Sequence, residues 1–247
     1  LPSRHLDDAS SRASESPHIM VVAIGVSGIS EIRSALELAK GLAQKSSSKT
    51  HATNEVTFAT HETYQSVVES VGGLGFAAAG LDPHTARRTT ESGLALEQCK
   101  GNPSTSGPAL NRFLIELVGD WYSAAVALLV QGNNPASKTP VDMVVLASAA
   151  AVYTYSSIVE EFDIAAAIFD VSPVVPTAAF EPPKHFRAAK VTQTLTGTPD
   201  EYEEDGEKRI NSTEDFSAHW AAYLQSVWRF LFRDGVNTAR QRFGVNK

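Results

Sequence analysis

The residues best placed to do chemistry in this chain stand directly after short apolar runs. Gly25 and Gly28 follow the run Ile19 to Ile24 and precede a helical pattern. Glycine there allows close backbone approach, and the amides at a helix start offer donors to an anion or polar ligand. The same pair reads equally well as a tight turn. The full G-x-G-x-x-G fingerprint is missing, and no acidic residue clearly ends the second strand where a ribose would be held, which disfavours a nicotinamide dinucleotide. No G-x-x-x-x-G-K-[ST] run exists, which removes a nucleotide-hydrolysing P-loop. His61 follows the second apolar run, Asp82 the third, and Ser148 and Tyr153 the fourth. Open α/β sheets keep their ligands at such strand ends. Each residue also has an ordinary structural reading: a capping contact for His61, a turn before proline for Asp82, and a helix start for Ser148 and Tyr153.

These positions depend on the elements between them. Ile19 to Ile24 reads as a buried parallel strand, followed by a helix with Ile32, Ala35, Leu36, Ala39 and Leu42 on one stripe. Strand, helix and strand recur at Glu55 to Thr60, Glu62 to Val71 and Gly75 to Ala79. Leu110, Phe113, Leu114, Leu117, Val118, Trp121, Ala125, Leu128 and Leu129 mark one face of a long helix. A strand at Val141 to Leu146, a helix at Tyr153 to Glu161 and a strand at Ile164 to Phe169 follow. A final helix, about Asp215 to Phe243, carries Trp220, Tyr223, Leu224, Val227, Trp228 and Leu231. The alternation predicts an α/β fold with a parallel sheet, helices on both faces and right-handed crossovers.

Composition bounds what such a fold can do. The chain has 247 residues, 43% of them hydrophobic, enough for a real core, and a net charge of −7. Asp200, Glu201, Glu203, Glu204, Asp205 and Glu207 supply most of that charge, and without them acids and bases nearly cancel. The basic footprint of a general nucleic-acid binder is therefore missing. The single cysteine, Cys99, excludes an internal disulfide framework and a Cys-rich zinc site. No uninterrupted apolar run reaches the roughly 18 residues of a membrane span, and the polar N-terminus lacks an apolar signal core. Residues 1–17 are expected to be a disordered polar segment and residues 18–247 one domain. Its polar inserts near 46–54, 101–107, 132–139 and 192–213 are expected to be surface loops. The sequon Asn211-Ser212-Thr213 reads as a chance match. A chain beginning without Met is expected to be part of something longer.

Taken together, the segments resemble one family over about His18 to Val245. The order runs from His18 to Gly25 with Gly28, through Ala35 to Leu42 and Val56 to His61, to Gly75-Phe76 and Gly80-Leu81-Asp82-Pro83. It resembles the N-terminal half of family 1 and family 28 glycosyltransferases, especially sterol glucosyltransferases. Ser172-Pro173, Pro176-Thr177 and Phe180 to Pro182 resemble the family's proline-punctuated segment after the fifth strand. The Trp-rich last helix with Arg233, Asp234, Asn237 and Arg240 resembles the element closing its acceptor domain. The resemblance implies a Rossmann-like acceptor-binding domain, the N-terminal half of a GT-B architecture. Two such domains need roughly 400 residues, and no sugar-nucleotide motif is present here. The chain is thus expected to bind no cofactor of its own and to be inactive alone. A UDP-sugar donor is expected on a missing C-terminal domain, supplied in cis or by a partner chain in trans.

Inverting transfer needs a general base within reach of the acceptor hydroxyl. The resemblance places an acidic residue or a His in the loop after the first strand. Here that stretch is Ile29-Ser30-Glu31-Ile32, so the family's Asp is absent and Glu31 is the nearest substitute. Glu31 also serves as an ordinary first-turn glutamate. Gly25, Gly28, Ser30, His61, Asp82, Ser148, Tyr153, Pro173 and Pro176 are the candidate cleft residues. Phe113, Leu117 and Trp121 with Val174, Val175 and Phe180 would line an apolar acceptor pocket, although a helical stripe is more often core. Trp220 and Trp228 are expected to anchor the last helix; Arg229, Arg233, Arg240 and Arg242 offer either a contact to anionic lipid heads or a solvated face. The partners expected are a lipophilic small-molecule acceptor and the donor domain, with no metal and no nucleic acid. The expected location is cytoplasmic, with peripheral membrane contact as an extension. The alternatives are a degenerate lipid- or partner-binding module and, from the bare fold pattern, a Rossmann oxidoreductase.

Overall fold

A computed structural model describes residues 16–25, 29–44, 54–99, 103–131, 139–169, 225 and 228–244. Five strands are parallel: β1 (His18–Val22), β2 (Glu55–Thr60), β3 (Gly75–Ala78), β4 (Met143–Leu146) and β5 (Ala165–Ile168). Their order across the sheet is β3-β2-β1-β4-β5. β1 is central because it can be buried on both faces. Its residues alternate, Met20, Val22 and Ile24 joining one core and Ile19, Val21 and Ala23 the other. The protein is an α/β fold of Rossmann type, with a helical layer on each face.

One layer holds α1 (Ile29–Gln44) and α2 (Gln65–Val71), which enclose Ile32, Ala35, Leu36 and Val68 against Phe58 and Val21. The other is built on α5 (Pro103–Ala125), α6 (Ala149–Glu161) and α7 (Arg233–Phe243), which bury Leu117, Val118, Trp121, Tyr155 and Val236 against Met20 and Val144. α3 (Pro83–Thr89) and α4 (Glu91–Gln98) connect β3 to α5. α7 lies close along α5 because Gly235 offers no side chain: a Cβ there would meet Val118 Cβ at 2.9 Å.

Several boundaries differ from the sequence reading. A 3₁₀ turn, Glu62–Tyr64, precedes α2, and α6 starts at Ala149 rather than Tyr153. The insert read as a loop near 101–107 is helical from Pro103 onward. Its polar residues indicated exposure, which holds for Thr105, Gly107 and Pro108, but polarity does not dictate backbone conformation. Proline suits a helix start, and Pro108 gives up only one backbone bond of a long helix anchored by Phe113 and Leu117. Two π turns, Val126–Val130 and Trp228–Phe232, flank α5 and α7. The helical stretch Thr105–Val130 is long and apolar enough to cross a membrane by length and composition alone, yet it carries Phe113, Leu117, Trp121 and Tyr122 into the core. Residues 1–15, 192–213 and most of 46–54 and 132–139 lie outside the described residues.

Candidate functional site

With β1 beside both β2 and β4, the chain leaves the sheet in opposite directions on either side of β1. That switch point opens a crevice at the C-terminal ends of the strands. Four backbone segments converge there: Ala23 to Gly25, Thr60 to His61, Ala79 to Asp82, and Ala147 to Ser148. Backbone bonds extend past the strands to join them, with Ala23 N donating to Ala59 O at 3.0 Å, Ala79 N to Thr60 O at 2.8 Å, and Ala147 N to Val22 O at 2.9 Å.

Ser148 is wholly engaged in this framework. Its hydroxyl donates to Ile24 O at 2.8 Å and accepts from Ile24 N at 3.1 Å and from Ala151 N at 3.3 Å. It caps α6 and ties that helix to the end of β1, which leaves its oxygen no spare capacity for a ligand. Asp82 caps α3 in a similar way, accepting from Thr85 N and Thr85 Oγ1, each at 2.9 Å.

His61 is the group least satisfied by its surroundings. It is buried at the end of β2, and its Nδ1 lies 3.0 Å from Gly80 O. A carbonyl only accepts, so Nδ1 carries the proton and neutral His61 presents a lone pair at Nε2. Nε2 is buried and has no hydrogen-bond partner among the described residues. Burial lowers the pKa of His61 below its ordinary value, opposed by the Gly80 backbone, the Asp82 charge, the Gly25 backbone and the Asp120 charge. The rings of Trp121 and Tyr64 stand 6.3 and 6.4 Å from it, centroid to centroid.

The segment that bonds His61 is itself held by α5. Asp120 Oδ2 accepts from Leu81 N at 2.6 Å, and Trp121 Nε1 donates to Leu81 O at 2.9 Å. This double grip needs Gly80, whose φ is +100° and whose absent Cβ would lie 2.7 Å from Asp120 Oδ2. Asp120 is the site residue that sequence reasoning missed. Its neighbour Trp121 was legible as apolar stripe, but a carboxylate on the flank of that stripe carries no periodic signal.

The remaining candidates are spread more widely. Gly25 is buried at the crevice, and Glu31 is partly buried in the first turn of α1, which also contains Ser30. Tyr153 is partly buried against the apolar layer, its ring 4.7 Å from Phe232 and 5.1 Å from Trp228. Phe113, Leu117 and Trp121 are core residues. Arg229, Arg233 and Arg242 are exposed, and Arg233 pairs with Asp234 at 3.1 Å. Gly28, Pro173, Val174, Val175, Pro176, Phe180 and Trp220 lie outside the described residues. A separate hollow of about 460 Å³, lined by His84, Arg87, Arg88, Leu94 and Glu97, lies between α3 and α4, with Arg87 ion-paired to Glu97. No group of three or more metal-ligating side chains occurs among the described residues.

No protein-family model and no curated protein sequence matches the chain. Among solved structures, the chain is similar to the calicheamicin glycosyltransferase CalG4, with 14% identity and a TM-score of 0.46. The match covers 94% of this chain and 46% of that one, so the chain spans about half the length of that protein. At this level of likeness no activity passes from one to the other.

Proposed function

We propose that this chain is the acceptor-binding half of a GT-B glycosyltransferase that transfers a hexosyl group from a nucleotide sugar to a sterol or other lipophilic alcohol. The observation that carries the reading is a convergence. The segments on which the family resemblance rests, ending at Gly25, His61 and Gly80 to Pro83, come together at one edge of the sheet, beside the switch point. That edge is where an open α/β sheet binds ligands.

In this reading Glu31, at the start of α1, is the general base. Its carboxylate takes the hydroxyl proton as the acceptor oxygen bonds to the anomeric carbon, and the nucleotide diphosphate departs with the electrons of the broken C–O bond. A UDP-sugar donor belongs to a second domain, in cis or in trans, and the assembly works in the cytoplasm or against a membrane surface. The chain alone should turn over no nucleotide sugar, and joining it to a donor domain should bring transfer to a lipophilic alcohol. Turnover by the chain alone overturns the proposal. In the joined enzyme Glu31→Gln should slow transfer about 100- to 10,000-fold, the usual share of a positioned base. Unchanged turnover removes Glu31 from the mechanism. A second reading, a non-catalytic lipid- or partner-binding module, is favoured by Ser30-Glu31 standing where the resemblance implies Asp. It predicts acceptor binding that no donor domain converts into transfer.

A further inference from the structure

The hollow between α3 and α4 owes its shape to a sharp joint. Thr90 ends α3, its N–H donating to Ala86 O at 2.9 Å, and caps α4 by accepting from Gly93 N at 3.1 Å. The two helices therefore meet with no loop between them. Gly93 permits the approach, since a Cβ there would lie 2.6 Å from Arg87 Cα. The space left beside the joint, about 460 Å³, is lined by His84, Arg87, Arg88, Leu94 and Glu97. Arg87 and Glu97 pair with each other, and their charges cancel. His84 and Arg88 stand four residues apart on one face of α3, and both are exposed. Neither makes a hydrogen bond or ion pair among the described residues. The other nearby acids do not serve them: Asp82 is taken up by Thr85, and Glu91 at the start of α4 does not line the hollow.

We propose that this hollow is a binding site for a phosphate monoester that carries an apolar group. A guanidinium has donors only, set in a fork that matches two oxygens of one phosphate, and an imidazole has at least one N–H. Arg88 holds two phosphate oxygens and His84 donates to a third. Leu94, 47% exposed on the α4 side, meets the apolar group. Volume sets the class of ligand: about 460 Å³ falls in the range of sites for small organic molecules, well above what a bare phosphate fills. The site is built from α3 and α4 alone, and it stands whether or not the chain serves a glycosyltransferase.

The test is a titration of the whole chain with phenyl phosphate, followed by nuclear magnetic resonance on ¹⁵N-labelled arginine and histidine. The Arg88 Nε–H and the His84 ring should shift along one saturating curve. Inorganic phosphate should bind more weakly, and benzyl alcohol, which has the ring without the charge, should move neither signal. Arg88→Gln should weaken phenyl phosphate binding about 10-fold or more, the share of a charged hydrogen bond. Leu94→Ser should remove the advantage of phenyl phosphate over inorganic phosphate. Vesicles of phosphatidylcholine containing phosphatidic acid distinguish the source of the ester. Sedimentation with them that Arg88→Gln abolishes assigns the phosphate to a lipid head, and phenyl phosphate binding without sedimentation assigns it to a soluble ester. The proposal is overturned by the absence of a saturating shift at Arg88 and His84, by undiminished binding in R88Q, or by equal shifts with benzyl alcohol. The first and third outcomes are read on the unmutated chain and do not depend on a variant folding.

Discussion

Two buried histidines at opposite ends of the same sheet have opposite fates. At the N-terminal edge, His18 starts β1 with both ring nitrogens engaged: Nδ1 lies 3.1 Å from Thr139 O and Nε2 2.9 Å from Thr57 Oγ1, while its backbone N donates to Asp142 Oδ2 at 2.9 Å. At the C-terminal edge, His61 has one nitrogen bonded and the other open. A buried polar group costs little once its bonds are made and is expensive when they are not. His18 therefore reads as a cross-strand fastener, and His61 as a buried ring with one nitrogen bonded to the Gly80 carbonyl and the other without a partner among the described residues. The difference follows the general rule that an α/β sheet spends one edge on stability and the other on function.

The contrast can be broken or sharpened in order of expected effect. Trp121→Ala removes both a buried ring and the bond to Leu81 O, and should cost about 3–5 kcal/mol of unfolding free energy in denaturant titration. It should also loosen the Gly80 turn on which His61 depends. His18→Leu removes the ring's bonds to Thr57 Oγ1 and the Thr139 carbonyl and should cost about 2–3 kcal/mol. His61→Leu strands only Gly80 O, an acceptor, and should cost about 1 kcal/mol by the same measurement. Equal losses for the two histidine variants would erase the distinction between the edges.

The smallest effect is on pH dependence. The folded state lowers the pKa of His61 from its ordinary 6.5, so above that pH neither folded nor unfolded chain carries the proton and stability is unaffected. As pH falls below 6.5, the unfolded chain binds a proton that the folded chain resists, and stability declines until the folded value is passed. His61→Leu should flatten that part of the stability profile relative to the unmutated chain. A profile identical in both would show that the buried ring has an ordinary affinity for its proton.

Much of this architecture was legible from local pattern. β1 and β2 read as apolar runs because both faces of a central parallel strand are buried, and α5 read as a stripe from Leu110 to Leu129 because one side of it packs on the sheet, although Leu110 at its start stays exposed. Polar stretches were legible as exposed but not as loops, as the helical residues after Pro103 show. Tyr153 read as a cleft residue or a helix start from its place after β4; it lies inside α6, with its ring against Trp228 and Phe232.

By itself the sequence determined which residues seek burial and where glycine and polar residues end each strand, because those depend on neighbours within a turn or two of chain. Only the tertiary structure decided what those strand ends touch. Setting β4 beside β1 brings Ser148 onto Ile24, 124 positions earlier in the chain, and laying α5 across the β3 end brings Asp120 and Trp121 onto Leu81. Hydrogen bonds of such span follow from strand order and helix placement, which no local period encodes. His61 is a surface cap by its sequence position and a buried, half-bonded base by its place in the fold.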